Sequence, residues 1–174
     1  MKIKSIVLSA LFCAVLCILS PLSLPVNIIP ITLATFALYL TASLLPVHLS
    51  LISTLCYILL GTVGLPVFSG WRGGFQIIAG PTGGYIIGYI PCAVIISLLC
   101  TAFAKKKFVK PLSMVAGTAV LYVIGSVWYM IQTQSGIGTT FMMCVFPFLA
   151  GDAIKILAAS YICIQCENQI KKLL

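Results

Sequence analysis

Apolar residues in this chain come in long runs, separated by short clusters of proline, glycine and lysine. This punctuation gives six apolar segments, at about 6–20, 31–45, 47–60, 85–104, 112–131 and 141–164. None shows the roughly ten-residue alternation of apolar and polar positions that marks a strand of a membrane barrel. Uninterrupted apolar runs predict helices, because a helix satisfies its own backbone in lipid. The expectation is an all-α integral membrane bundle of six transmembrane helices. Some segments fall short of the roughly 20 residues that a vertical crossing needs. The start, with Lys2 and Lys4 ahead of an apolar run, has the outline of a secretory signal. No small-x-small cleavage pattern precedes Pro21, so the run is read as a retained first span.

Composition agrees with lipid as the solvent. Apolar residues make up 61% of the 174, and only 7% are charged. Twelve charged side chains, ten basic and two acidic, cannot clothe a soluble domain of this length. One membrane-embedded domain over 1–174 is expected, without repeats or a soluble extension.

The net charge of +8 raises the possibility of nucleic-acid binding. Its placement argues otherwise. Lys2, Lys4, Lys105, Lys106, Lys107, Lys110, Lys171 and Lys172 lie outside or at the edges of apolar runs, and the one aromatic among them, Phe108, makes no platform on which bases could stack. Lysines so placed set topology. An even number of spans puts all eight on one side, so both termini are expected in the cytoplasm. The eight cysteines lie almost wholly inside apolar runs, where they act as small hydrophobes. Cys163-x-x-Cys166 has no second pair or nearby histidine to make it a metal site, and His48 reads as interfacial.

Three features violate the expected solvent. Asp152 and Lys155 stand inside the sixth segment, three residues apart and on one helical face. A charge at mid-bilayer costs about 2.5–3.5 kcal/mol and is normally turned into a cavity or the protein interior. Pro147 and Gly151 just before them are expected to loosen the helix. A structural ion pair is the competing reading, but desolvation makes such a pair a poor substitute for an apolar contact, so a polar ligand site is expected.

The second feature is the segment 61–84, GTVGLPVFSGWRGGFQIIAGPTGG, with eight glycines and Arg72, the chain's single arginine. Its apolar residues suit folding back on the bundle, and a connection of this length is commonly a functional lid. Guanidinium is suited to hold a carboxylate through two parallel bonds. The third is Tyr122-x-x-Gly125-x-x-Trp128, which serves equally well as a ligand wall or as helix packing. Ala10-x-x-x-Ala14 is a small-xxx-small pattern that admits another helix.

In this order, GLPVF (64–68), GWRGG (70–74), GPTGGY (80–85), Tyr122-x-x-Gly125-x-x-Trp128 and Gly151-Asp152-x-x-Lys155 resemble the BioY family of biotin transporters over nearly the whole chain. The resemblance implies the S component of an energy-coupling factor (ECF) importer in the bacterial plasma membrane. Such a protein binds biotin from outside under a glycine-rich extracellular lid between helices 3 and 4. It works with a transmembrane T component and two ATPase subunits, and Ala10 and Ala14 resemble the motif that meets the T component. The implied substrate contacts are Arg72, Asp152, Lys155, Tyr85, Gly84, Phe68, Tyr122 and Trp128, with no cofactor, metal or nucleic acid. Asp152 and Lys155 suit the ureido ring and Arg72 the carboxylate, although the reverse assignment is equally compatible with the residues. No G-x-x-x-x-G-K-[ST] loop is present, so any ATP is handled by other chains. Other classes remain in view: an S component for thiamine or riboflavin, and an intramembrane enzyme using Asp152 and Lys155. The enzyme lacks a nucleophile elbow, HExxH or second acidic partner to support it.

Overall fold

The computed structural model describes residues 3–24, 29–103 and 108–173. In chain order the elements are α1 (Ile3–Leu19), a hairpin of β1 (Ser23–Leu24) and β2 (Ile31–Thr32), α2 (Ala34–Leu44), α3 (Val47–Val63), α4 (Phe75–Ala79), α5 (Gly83–Ala102), α6 (Val109–Thr133), α7 (Ile137–Cys144) and α8 (Phe146–Leu173). Each of the six apolar segments read from the sequence falls on one or more of these helices. By length and composition, α5, α6 and the stretch Ile137–Glu167 can cross a membrane, and α1, α2 and α3 are shorter apolar helices.

The distribution of side chains identifies the solvent. Leu11, Ile18, Leu59, Leu98, Val123, Ile154 and Leu157 are exposed, whereas Thr41, Ser50, Ser53, Thr54, Ser97, Thr118 and Asp152 are buried. A surface more apolar than the interior is stable in lipid and not in water. Several buried hydroxyls satisfy themselves locally: Thr41, Thr54 and Thr118 donate to carbonyls one turn back, at 2.7–2.9 Å, whereas the Ser50 hydroxyl has no partner among the described residues. Others tie helices together. Ser97 donates to Ala42 O at 2.6 Å, joining α5 to α2, and Ser53 donates to Ser9 O at 2.9 Å, joining α3 to α1.

Helix α2 is the centre of the arrangement. Its Ala34, Ala37, Leu38, Tyr39 and Ala42 are buried almost completely, and it touches α1, α3, α5 and α8. At 11 residues it is shorter than the segment 31–45 because Ile31 and Thr32 pair with Leu24 and Ser23 instead. The last apolar segment is also divided. The chain turns at Val145, so α7 and α8 are separate helices. Pro147 then sits in the first turn of α8, where its missing N–H removes no helical bond.

Of the topology lysines, Lys2 and Lys105–107 lie outside the described residues, as does the side chain of Lys171, while Lys4 and Lys172 are exposed. Lys110 differs from its expected place at an edge: it is only 7% exposed. Its ammonium donates to Cys163 O at 2.7 Å and pairs with Glu167 Oε2 at 2.7 Å. Glu167 lies far along the chain, on a helix that returns antiparallel beside α6, which is why this burial is invisible in local sequence.

Candidate functional site

One cavity opens among α2, α5, α6, α8 and the glycine-rich connection, with Ser20, Thr35, Tyr57, Phe68, Ser69, Arg72, Tyr85, Tyr89, Tyr122, Phe148, Asp152 and Lys155 among its walls. The space enclosed by its walls is about 60 Å³, and the empty space including its open mouth is about 670 Å³.

At its polar wall, α8 holds Asp152 and Lys155 one turn apart, so Lys155 Nζ reaches Asp152 Oδ1 at 3.0 Å. Asp152 is 3% exposed. Thr35 on α2 donates to the same Oδ1 at 3.2 Å and accepts from Lys155 Nζ at 3.1 Å. Tyr122 on α6 donates to Oδ2 at 2.6 Å. Three helices therefore converge on one carboxylate. Behind it, the Tyr39 and Thr118 hydroxyls are bonded at 2.6 Å.

The open valences are informative. A carboxylate offers about four lone-pair sites, and an ammonium three donors. Among the described residues, Lys155, Thr35 and Tyr122 occupy three of the Asp152 sites, leaving one on Oδ2. Thr35 and Asp152 occupy two Lys155 donors, leaving one. A carboxylate acceptor beside an ammonium donor complements a ligand edge that carries N–H next to C=O.

The connection supplies the other walls. Helix α3 ends at Gly64 in the left-handed conformation (φ 117°), which releases the chain into a tight turn. Phe68 and Arg72 bond each other's backbone, at 2.9 and 3.3 Å, with Trp71 between them at positive φ. Gly70 N donates to Pro21 O at 3.1 Å and Gly74 N to Gly61 O at 2.7 Å, pinning the turn to the ends of α1 and α3. Phe68 is thereby buried (1% exposed), edge-on to Tyr57 with ring centres 5.7 Å apart. The Tyr57 hydroxyl is bonded to Ser20. Arg72 lies at the exposed mouth, its Nε 3.4 Å from Ser69 O. The Ser69 hydroxyl is buried on the cavity wall and has no partner among the described residues.

Six of the eight residues expected to meet a substrate share this cavity: Arg72, Asp152, Lys155, Tyr85, Phe68 and Tyr122. Gly84 and Trp128 stand elsewhere, against each other. A Cβ on Gly84 would overlap the Trp128 side chain, and Trp128 Nε1 donates to Gly80 O at 2.9 Å. A Cβ on Gly125 would likewise overlap the Tyr85 ring. These glycines let α5 and α6 approach closely, and Tyr85 then reaches Cys144 O at 2.7 Å and stacks on Phe148. Ser20, Thr35, Tyr57, Ser69, Tyr89 and Phe148 are cavity residues that the sequence reading did not single out. Separately, exposed Ala10 and Ala14 line an apolar groove between α1 and α3, together with Cys13, Cys17, Cys56 and Leu60.

The model of the BioY family matches residues 1–172. The chain belongs to the BioY family. It is 33% identical to the "Biotin transporter BioY" of Thermotoga maritima, over 95% of this chain and 96% of that protein. It is 32% identical to the "Biotin transporter BioY2" of Lactococcus lactis subsp. cremoris, over 88% and 85%. With the "Probable biotin transporter BioY" of Pyrococcus horikoshii it shares 36% identity over 89% and 91%. The fold matches a crystal structure of the S-component for biotin from an ECF-type ABC transporter, with TM-score 0.90, 24% identity, and coverage of 96% of this chain and 92% of that one. This BioY-family chain is therefore a multi-pass plasma-membrane protein with the S-component fold, and its family is one of transporters.

Proposed function

We propose that this chain is a single biotin-binding membrane domain, the S component of an ECF importer, and that the cavity beneath the glycine-rich connection is its biotin site. The observation that carries this reading is the pair of open valences on Asp152 and Lys155. The ureido ring of biotin presents an N–H beside a C=O. Its N–H donates to the vacant site on Asp152 Oδ2, and its carbonyl accepts from the third Lys155 donor. Thr35 and Tyr122 hold both charged groups in place, so binding requires little rearrangement of them. The thiophane ring and valeryl chain meet Tyr85, Phe148, Phe68 and Tyr57, and the carboxylate meets Arg72 with help from the Ser69 hydroxyl. Gly84 and Trp128 support this wall from behind by fixing how closely α5 and α6 pack.

The topology that goes with this reading has six crossings, with both termini in the cytoplasm and the glycine-rich segment outside as the lid. The chain binds and releases its substrate unchanged, so intact biotin is recovered from it. Energy comes from a T component and two ATPase subunits, with Ala10 and Ala14 as the face of α1 that meets the T component. Ala at both positions exposes backbone to a partner helix, and the apolar groove alongside gives that helix a seat.

The test is uptake of labelled biotin by biotin-requiring bacterial cells that express this chain with and without the T component and ATPases. Uptake that depends on the chain and is competed by unlabelled biotin, but not by thiamine or riboflavin, is the expected result. Competition by either of the other vitamins would assign the site to that vitamin instead.

A further inference from the structure

Both acidic residues of the chain, Asp152 and Glu167, lie on α8. Each is tied to α6: Asp152 to Tyr122 at 2.6 Å and Glu167 to Lys110 at 2.7 Å. The two ties are far apart. Lys110 and Tyr122 are separated by about 18 Å along α6, and Asp152 and Glu167 by about 22 Å along α8, at 1.5 Å per residue. The helices run antiparallel, so the ties form two rungs between the same pair of rails, one at the cavity and one at the far end.

Helix α8 packs more extensively on α2 than on α6. Across that contact Thr35 of α2 bonds Asp152 and Lys155, which ties α2 to α8 at the cavity end and leaves the far end to other contacts. A slide of α8 by one residue, about 1.5 Å, breaks a 2.6 Å hydrogen bond. Lys110 is suited to prevent it, because its buried ammonium grips α8 at two points, the carbonyl of Cys163 and the carboxylate of Glu167.

We infer that the Lys110–Glu167 pair is a positioning device that sets the register of α8 on α6 and so holds Asp152 where Tyr122 meets it. Neither residue touches the cavity. Their effect on the ligand passes through Asp152, and it rests on the reading of that network as the ligand site.

The experiment is a double-mutant cycle between Lys110→Met and Tyr122→Phe, measured on purified protein as biotin affinity and as melting temperature without ligand. Lys110→Met is expected to weaken biotin binding about tenfold, and to add little once Tyr122 is already Phe, because both changes release the same constraint. Lys110→Arg retains donors for both contacts and is expected to bind near the wild-type level. Glu167→Gln is the milder companion, expected to shift affinity the same way should Lys110→Met fold poorly. Losses that add independently in either cycle, or unchanged affinity in both the Lys110→Met and Glu167→Gln proteins, overturn the inference. A wild-type protein that binds no biotin counts against the proposed function, and the ligand-free melting cycle then decides the register by the same criterion.

Discussion

Tyr122 on α6 donates a 2.6 Å hydrogen bond to Oδ2 of Asp152 on α8, so the protein's own donors hold that carboxylate on both oxygens. This relationship turns a costly buried charge into a fixed acceptor. Asp152→Asn keeps the size of the side chain but loses the charge that Lys155, Thr35 and Tyr122 are arranged around. The expected loss in biotin affinity is about 1.5–3 kcal/mol, typical of hydrogen bonds to charged groups, with the protein still folded. Affinity measured by calorimetry at the wild-type value would remove Asp152 from the site.

Thr35 is the residue through which α2 enters the network, accepting from Lys155 and donating to Asp152. Thr35→Val preserves shape and removes both bonds. A loss of about 1–2 kcal/mol in biotin affinity is expected, seen in the dissociation rate of labelled biotin. An unchanged rate would mean that Lys155 and Tyr122 suffice to orient the carboxylate.

The assignment of ligand ends is tested by chemistry on the ligand. If Arg72 holds the valeryl carboxylate, Arg72→Ala weakens biotin but leaves biotinamide, which has no carboxylate, nearly unaffected. Arg72→Lys restores only part of the loss, because an ammonium cannot form the two parallel bonds of a guanidinium. Equal weakening of both ligands by Arg72→Ala would place the other end of biotin at Arg72.

Gly84→Val forces a side chain into the space of Trp128. The expected cost is about 1–3 kcal/mol of stability from overpacking, seen as a lower melting temperature in detergent. A melting temperature equal to that of the wild type would show that α5 and α6 can separate freely at this crossing.

Ala10→Trp fills the groove between α1 and α3 without approaching the cavity. Biotin binding is expected to stay intact while co-purification with the T component and ATPases is lost. Retention of the full complex would move the partner surface elsewhere.

What was legible in the sequence follows the cost of each residue in lipid. Asp152, Lys155 and Arg72 stood out because charge in an apolar chain needs a reason, and the structure brings all three to one cavity. Thr35 did not stand out. Its neighbour in type, Thr41, spends its hydroxyl on the carbonyl one turn back, as membrane-helix threonines commonly do, and nothing local separates the two. Tyr57 and Ser20 meet across 37 residues, a pairing set by how α1 and α3 pack. The family resemblance puts Gly84 of GPTGGY among the substrate contacts, yet Gly84 makes room for Trp128. Lys110 looked like an interfacial lysine because its partner lies on α8. Segment positions were readable from punctuation, but the break at Val145 was not, since a proline in an apolar run marks a kink and a helix start equally well.

The most direct measurement is calorimetric titration of the purified chain in detergent with biotin, with thiamine and riboflavin as controls. Saturable one-to-one binding of biotin alone is the predicted result. A well-folded protein that binds none of the three, or binds thiamine or riboflavin in preference, would contradict the assignment of the Asp152–Lys155 cavity to biotin.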